Sequence, residues 1–390
     1  MTLVLGVDGG GSKTHAMVAD SRGETLGFAS SGRSNWEDAG LGGARAALEA
    51  AITGALAAAG VDAGDLAASA FGLAGLDWDS DRPMLAALID PLALGGPRRL
   101  DNDSFIALRA GTSQPFGVVV IAGTGTVAAG RDPAGRTFRT FGLEPMYGDF
   151  GSATDVAEEA VHAVADAHTG RGPATTLSEL LPPLAGCSSP VELLQRVSRG
   201  VTPLPPAAPL VLQEAAAGDP ACRAIVIRAG TALGESGAQV TRRLGMEHQA
   251  FEMVMAGGLF RGESRLLETT LTGALHRVAP RALPVRLACK PVVGAVIEAL
   301  ELAGADTGAE VRERLVASFP GDGDWHRLTA EVIGPIFTNR RVDGAYDKTI
   351  LRLGMRSFFP LRMLAPYSTI SEDEFAAAER TLREQFPDCE

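Results

Sequence analysis

Three glycine-rich turns are the residues of this 390-residue chain best suited to bind phosphate. They read DGGGSKT at 8–14, AGTGTVA at 122–128 and AGGLFRG at 256–262, and each follows an apolar strand pattern. Glycines at the end of a strand let backbone N–H groups approach a phosphate, because no Cβ atom stands in the way. One such turn is common in a protein of this size, but three together favour a nucleotide-binding protein.

The first two turns resemble standard nucleotide-binding motifs without matching them. Gly6 and Gly11 have the spacing of a P-loop, but the lysine comes one residue late, as Lys13. Residues 123–128 fit the dinucleotide fingerprint G-x-G-x-x-G/A. Both motifs must open a helix whose N-terminus holds the phosphates, whereas the residues after each turn here predict a β-hairpin. We therefore expect a different kind of phosphate-binding loop.

Acidic residues mark the ends of the elements around these turns. Asp8 closes the first strand pattern and is placed to bind a divalent cation on a polyphosphate, directly or through water. A hydroxyl that accepts a phosphoryl group needs a carboxylate to orient it and take its proton, and either Asp101 or Asp103 could do so. The alternative for Asp103 is an N-cap of the helix that follows it.

The segment SGRSNWEDAG at 31–40 contains the best candidate for a sugar contact. Its Asn35 lies beside carboxylates, a combination that suits a polyol whose hydroxyls both donate and accept hydrogen bonds. A solvent-facing loop would have a similar composition. His15 alternates with its neighbours in a strand pattern, which predicts a structural role.

The order of elements indicates a duplicated α/β domain. Residues 2–30 predict a strand, a glycine loop, a strand, a tight turn and a strand, followed by an alanine-rich helix and further strands. The same order begins again at 117–142. Helical patterns follow at 153–168 and 211–245, and a further strand is predicted at 251–258. We interpret the repeat as two similar domains with one glycine loop each.

The composition excludes several classes of protein. A formal net charge of −12 argues against a nucleic-acid partner, which requires a basic surface. No apolar run approaches the roughly 18 residues of a membrane span, and the N-terminus lacks a signal-peptide pattern, so we expect a cytoplasmic protein without a membrane partner. The cysteines are widely spaced, with no zinc-binding pattern: Cys187, Cys222, Cys289 and Cys389.

The motifs in this order resemble the N-acetylglucosamine kinase and BadF/BadG/BcrA/BcrD-type ATPase family. They are the glycine hairpin loop after Asp8, the NDS segment at 102–104, the GTG loop at 123–125, GDFGSA at 148–153 and AGG at 256–258. The resemblance covers about residues 3–304. The family belongs to the larger group of actin, sugar kinases and heat-shock chaperones.

The resemblance implies two ribonuclease-H-like α/β domains with an ATP cleft between them. The domains would comprise residues 1–114 and 115–318, followed by an aromatic-rich C-terminal extension of unknown role at 319–390. The sequence of that extension predicts a final helix that begins at Ser371. A homodimer is also expected.

The resemblance also implies roles for individual residues. Asp103 would be the catalytic base, and Asp8 would bind Mg²⁺ through water. The two phosphate-binding loops would supply Gly10, Gly11, Ser12, Lys13, Gly123, Thr124 and Gly125. The third loop would contact the adenosine through Gly257 and Gly258. The sugar would lie near Asn35 and Asp149.

The function implied is that of an ATP- and Mg²⁺-dependent kinase of a sugar or amino sugar, such as N-acetylglucosamine or glucosamine. Thr126 and Val127 stand where the vertebrate-type kinases have Ser-Asn, which leaves the identity of the sugar open. One alternative is an ATPase that activates a partner enzyme. Such activators hold an iron–sulfur cluster through cysteines at a dimer interface, and none of the four cysteines here has a suitable neighbour in the sequence. The other alternative is a non-catalytic, nucleotide-gated sensor.

Overall fold

The structure, a computed structural model, describes residues 2–143, 145–201, 206–262 and 264–320. The chain divides into two compact units, Met1–Phe319 and Pro320–Glu390. All of the helices and strands described below lie in the first unit. Nearly all of the predicted extension, including the helix expected at Ser371, lies outside the described residues.

The first sheet contains the first glycine loop. Its strands and the helices between them are β1 (Leu3–Gly9), β2 (Thr14–Asp20), β3 (Thr25–Ser31), α1 (Trp36–Ala59), β4 (Ala68–Leu73), α2 (Asp81–Ile89) and β5 (Arg98–Asp101). The strand order is β3-β2-β1-β4-β5. The first three strands are antiparallel, whereas β4 and β5 run parallel to β1.

The second sheet repeats this arrangement. After α3 (Asp103–Gly111), its strands are β6 (Gly117–Ala122), β7 (Thr126–Arg131), β8 (Thr137–Arg139), β9 (Phe251–Ala256) and β10 (Ala282–Arg286), in the order β8-β7-β6-β9-β10. The helices between β8 and β10 are α4 (Ala153–Thr169), α5 (Leu177–Leu184), α6 (Pro190–Ser198), α7 (Ala208–Ala217), α8 (Pro220–Leu244) and α9 (Arg265–His276). Two more helices complete the unit: α10 (Pro291–Leu302) and α11 (Ala309–Ser318). The predicted duplication and the α/β, ribonuclease-H-like fold class are confirmed.

Each half of the chain supplies a helix to the sheet of the other half. One face of the second sheet is covered by α3, whose Phe105 and Leu108 pack against Val119 and Val254. Conversely, α10 and α11 pack against a face of the first sheet. The opposite faces are covered by α1 and α2 on the first sheet and by helices α4–α9 on the second. The domain boundaries expected at 114/115 and 318/319 stay a prediction.

The crossing of α10 over α3 requires glycine at position 294. A Cβ atom there would lie 1.9 Å from the carbonyl oxygen of Ile106 and 2.6 Å from the backbone nitrogen of Ala110. The two backbones are therefore in direct contact, which no residue with a side chain permits.

Helix α10 is buried along most of its length because it lies between the first sheet and α3. Residues 292–300 are all buried. Its 12 residues are well short of the roughly 20 needed to cross a bilayer. Within the described ranges, no helix combines the length and the hydropathy that a membrane span needs.

The stretch predicted as helical at 211–245 consists of two helices rather than one. Gly218 ends α7 in a left-handed conformation with φ of 106°. Asp219 then caps α8 by accepting a hydrogen bond from the backbone N–H of Cys222, and Pro220 occupies the first helical position. Glycine, aspartate and proline in this order stop one helix and start the next.

Substituting Gly294 by Ala should destabilise the protein by about 1–3 kcal/mol, because the new methyl group overlaps the backbone of α3. Gly273→Ala is the matched control, since Gly273 lies in α9 with no atom near its missing Cβ. That variant should be neutral or up to about 1 kcal/mol more stable. Chemical unfolding monitored by circular dichroism measures both, and equal stabilities of the two variants would contradict the tight crossing.

Candidate active site

Asp8 lies near the end of β1, opposite His15 on β2 and Gly72 on β4. Only 18% of its side chain is exposed. Burial and the negative charge of Asp103 raise the pKa of Asp8 to about 7, although the positive charges of Lys13 and Lys290 act to lower it. Two carboxylates and two ammonium groups therefore share one electrostatic environment at the end of the first strand.

Lys290 was not predicted as a site residue. It is the N-cap residue of α10, and Pro291 is the first residue of that helix. Its charge acts on Asp8, which lies more than 280 positions earlier in the chain. The available signal was indirect: the chain has only three lysines, and this one opens a helix after a strand.

Asp103 is the first residue of α3 and does not cap it. The N-cap is Asn102, whose Oδ1 accepts hydrogen bonds from the backbone N–H of Ser104 at 3.1 Å and from the Ser104 hydroxyl at 2.6 Å. The alternative interpretation of Asp103 as an N-cap is therefore wrong. Burial raises the pKa of Asp103 to about 6; Asp77 adds to the rise, and the cation of Arg139 opposes it.

Asp101, the other candidate for the base, is held by arginines. Its carboxylate lies 3.6 Å from the guanidinium of Arg82 and 3.9 Å from that of Arg131. Arg131 also lies 2.8 Å from the buried carboxylate of Glu298 on α10. Asp101 thus belongs to a charge network behind the site, which favours Asp103 as the group that faces a ligand.

A pair missing from the sequence predictions, Asp77 and Arg139, links the two halves of the chain beside Asp103. Arg139 on β8 lies 3.0 Å from the carboxylate of Asp77 and donates to its backbone oxygen at 2.9 Å. The same guanidinium donates to the carbonyl oxygen of Phe141 at 2.8 Å. Both charged side chains are nearly buried, so the pair is shielded from water.

The first glycine loop is the tight connection between β1 and β2. It therefore joins two strands, as predicted, and does not open a helix as a P-loop would. The backbone N–H of Gly10 donates to the carbonyl of Lys13 at 3.0 Å, and the carbonyl of Gly10 accepts from Ser34 at 3.1 Å. Thr14 bonds the hydroxyl of Ser34 at 2.8 Å. These hydrogen bonds fix the base of the turn, while residues 11–13 are exposed.

The second and third glycine loops lie against each other. Gly257 has φ of 99°, and a Cβ atom there would lie 2.3 Å from the carbonyl oxygen of Ala122, just before the second loop. Helix α4 starts on the same loop, because the backbone N–H of Ala153 donates to the carbonyl of Gly123 at 2.8 Å. Thr124 and Gly125 at the tip and Gly258 in the third loop are exposed. These two loops thus form one continuous glycine-lined edge.

Asn35 and Asp149, the residues predicted to lie near the sugar, both accept hydrogen bonds from backbone N–H groups. Asn35 caps α1 by accepting from the N–H of Glu37, and the indole N–H of the neighbouring Trp36 donates to the carbonyl of Gly75 at 2.7 Å. Asp149 is buried and accepts from the N–H groups of residues 142 and 143, at 2.7 and 3.2 Å. Each therefore fixes a segment that leads to the Asp77–Arg139 pair.

The residues around Asp8 fit a Mg²⁺ ion that arrives with a polyphosphate. Among the described residues, no three His, Cys, Asp or Glu side chains cluster as a complete metal site. Mg²⁺ bound to a nucleotide usually takes one or two carboxylates, with phosphate oxygens and water as its other ligands. Asp8, whose pKa is raised beside Asp103, would gain from such a cation.

The chain is similar to a known family and to two named kinases over most of its length. The profile of the BadF/BadG/BcrA/BcrD ATPase family matches residues 5–299, which contain all the residues discussed for the site. An N-acetyl-D-glucosamine kinase from Dictyostelium discoideum is 27% identical over 313 residues, covering 76% of this chain and 98% of that protein. An N-acetylmuramic acid/N-acetylglucosamine kinase from Clostridium acetobutylicum is 29% identical over 262 residues, covering 66% of this chain and 86% of that protein.

Solved structures show the same fold. A protein from Chromobacterium violaceum, provisionally named an N-acetylglucosamine kinase, has a TM-score of 0.54 and 23% sequence identity to this chain. The match covers 78% of this chain and 99% of that one. Helices α3 and α10 and both sheets lie within the span that the family profile matches, except for the last residues of α10 and the start of β1.

Replacing Asp8 by Asn should raise the melting temperature of the ligand-free protein at pH 8. A carboxyl whose pKa is raised on folding stabilises the fold fully only below its ordinary value of 3.8, and this contribution is lost as the pH rises through about 7. The gain should therefore be smaller at pH 5; a gain of about 1 kcal/mol corresponds to roughly 2–4 °C. Equal gains at both pH values in thermal scans would contradict a raised pKa.

Substitutions at Arg139 and Asp77 should move the pKa of Asp103 in opposite directions. Arg139→Gln removes a cation and should raise this pKa above its wild-type value of about 6, whereas Asp77→Asn removes an anion and should lower it. A ¹³C NMR titration of the carboxyl groups measures both shifts, with Asp103→Asn to assign the signal. Shifts of the same sign in the two variants would count against this electrostatic arrangement.

Proposed function

The chain belongs to the BadF/BadG/BcrA/BcrD ATPase family, and from this premise we propose that it is an ATP-dependent kinase of an amino sugar. The two kinases named above support an acceptor such as N-acetylglucosamine or a glucosamine-like sugar. The reaction transfers the γ-phosphoryl group of ATP to one hydroxyl group of that sugar.

The observation that carries this proposal is the environment of Asp103. Its carboxylate is free of the capping role that Asn102 fills, and its pKa of about 6 is raised mainly by burial. A base with this pKa is ionised at neutral pH and is stronger than an ordinary aspartate. These are the properties needed to take a proton from a sugar hydroxyl.

In the proposed reaction, the carboxylate of Asp103 accepts the proton of the sugar hydroxyl. At the same time, the oxygen of that hydroxyl forms a bond to the γ-phosphorus. The bond from that phosphorus to the bridging oxygen breaks, and ADP leaves with the electron pair. Backbone N–H groups and Lys13 in the loop at 10–13, together with the loop at 123–125, would hold the phosphates. Mg²⁺, when bound near Asp8, supplies positive charge that neutralises the phosphate oxygens.

The two ends of the bound ligands would lie on different elements. The adenosine would lie beside Gly258, where no atom stands within 4 Å of the missing Cβ, and Gly257 would hold this loop against Ala122 of the second loop. On the acceptor side, Asn35 retains amide N–H groups that can bind a sugar hydroxyl. Asp149 supports that side by holding residues 142 and 143 in place.

The cysteines give little support to an activator ATPase with an iron–sulfur cluster. Cys187 and Cys222 are buried in the core of the second sheet, where a partner subunit cannot reach them. Cys289 is only partly exposed and bonds the carbonyl of Ala110 at 3.7 Å, and Cys389 lies outside the described residues. A nucleotide-gated sensor would share the loops but would not need a base such as Asp103.

We also propose a cytoplasmic location, a homodimer and the absence of a nucleic-acid partner. The net charge of −12 supports the last of these, because a phosphate backbone would be repelled.

Asp103→Asn should lower kcat by roughly 10²–10⁴-fold on the best acceptor, because the amide cannot take the hydroxyl proton. Asp101→Asn is the matched control: it removes a carboxylate two residues away that is held by arginines, and turnover should stay within a few-fold of wild type. ADP release measured across hexoses, amino sugars and N-acetylated amino sugars, with sugar-free hydrolysis subtracted, provides the readout.

Three results of this assay and of a parallel nucleotide-binding measurement would overturn the proposal. Wild-type turnover by the Asp103→Asn protein would remove the proposed base. Sugar-independent ATP hydrolysis that no acceptor accelerates would instead favour the activator ATPase, and nucleotide binding without any hydrolysis would favour the sensor.

A further inference from the structure

Three exposed aromatic side chains form a continuous patch beside the candidate acceptor site. Trp78, Phe141 and Tyr147 are 51%, 49% and 48% exposed. The ring centroids of Trp78 and Phe141 are 5.8 Å apart, and those of Phe141 and Tyr147 are 6.0 Å apart. Within the described ranges, every exposed tryptophan, phenylalanine or tyrosine belongs to this patch, and the exposed Met146 directly precedes Tyr147 in the chain.

Hydrogen bonds hold the backbone that carries Trp78 and Phe141. The carboxylate of Asp81 accepts from the N–H groups of Asp77 and Trp78, at 3.1 and 2.8 Å. The carbonyl of Phe141 accepts from Arg139 at 2.8 Å. A patch held in this way offers apolar surface without the entropy cost of ordering a loop on binding.

The patch is continuous with the proposed acceptor site. Trp78 directly follows Asp77, and Phe141 lies two residues after Arg139, so the two ends of the Asp77–Arg139 pair carry two of the three rings. Asp77 and Arg139 are also the charged residues that act most strongly on the pKa of Asp103. A molecule that places a hydroxyl at Asp103 can therefore extend over the rings.

We propose that Trp78, Phe141 and Tyr147 bind a second pyranose ring, so that the acceptor is a disaccharide or glycoside of the phosphorylated amino sugar. This inference rests on the proposed kinase function and specifies its substrate class. A pyranose presents C–H groups on one face, which pack on an aromatic ring, and hydroxyls at its edge, which need polar partners. At the border of the patch, Asp77 and Arg139 pair with each other and keep 11% and 12% of their side chains exposed, which is the polar surface that a hydroxyl there would meet.

A protein partner is a weaker explanation of the same surface. A specific protein interface usually buries about 800 Å² on each side, whereas three rings and one methionine form a much smaller patch. Contiguous exposed apolar patches are often functional, and ligand-binding grooves are one of the sites that they mark. The location next to the candidate base also favours a ligand that shares the site.

The test compares the best acceptor of the sugar panel, N-acetylglucosamine or glucosamine, with its own β-linked disaccharide. The wild-type kcat/KM for the disaccharide should exceed that for the monosaccharide, and Trp78→Ala should reduce this ratio roughly tenfold through KM. Trp78→Phe should largely restore the ratio. Leu283→Ala is the control, because Leu283 is 59% exposed on β10 and belongs to neither the patch nor the site.

The outcomes separate this inference from the function on which it rests. Absence of acceptor-dependent ADP release with every sugar would overturn both. Phosphorylation of the monosaccharide without any preference for the disaccharide would overturn only the proposed role of the patch. An unchanged ratio of the two kcat/KM values in Trp78→Ala would do the same. A change of oligomeric mass in the Trp78→Ala protein, measured by light scattering, would also overturn it by assigning the surface to self-association.

Discussion

The contact between the backbones of α3 and α10 is the constraint on which the rest of the structure depends. Gly294 brings α10 against Ile106 of α3, and each helix covers a sheet built mainly from the other half of the chain. Asp103 is the first residue of α3, and Lys290 immediately precedes α10. The crossing that joins the two halves therefore also sets where a carboxylate and an ammonium group meet Asp8.

The charges collected there oppose folding and favour ligand binding. Buried carboxylates at Asp8 and Asp103 repel each other, and burial raises the pKa of both. The free energy of folding would be more favourable with neutral residues, as is common where a site is built for function. In the proposed function, a nucleotide with its own cation would compensate the carboxylates, and Lys13 and Lys290 would offset the phosphate charge.

The sequence was sufficient for the parts of the site that depend on neighbouring residues. Glycines after alternating apolar residues predicted both hairpin loops, because strand periodicity and turn composition act over short distances. The N-cap of α3 was harder to predict from the sequence, because Asn102 and Asp103 are adjacent and either can cap a helix. Asp77, Arg139 and Lys290 had no such pattern, because only the pairing of strands and the helix crossing bring them near Asp103 and Asp8.

Arg139 shows why residues found only from the fold can matter as much as the motifs. One guanidinium binds Asp77, holds the carbonyl of Phe141 and lowers the pKa of Asp103. It is nearly buried, so these effects are not screened as they would be on the surface. The strength of the proposed base and the position of the aromatic surface thus depend on the same side chain, and a change of acceptor specificity made there would also change the pH range in which Asp103 is ionised.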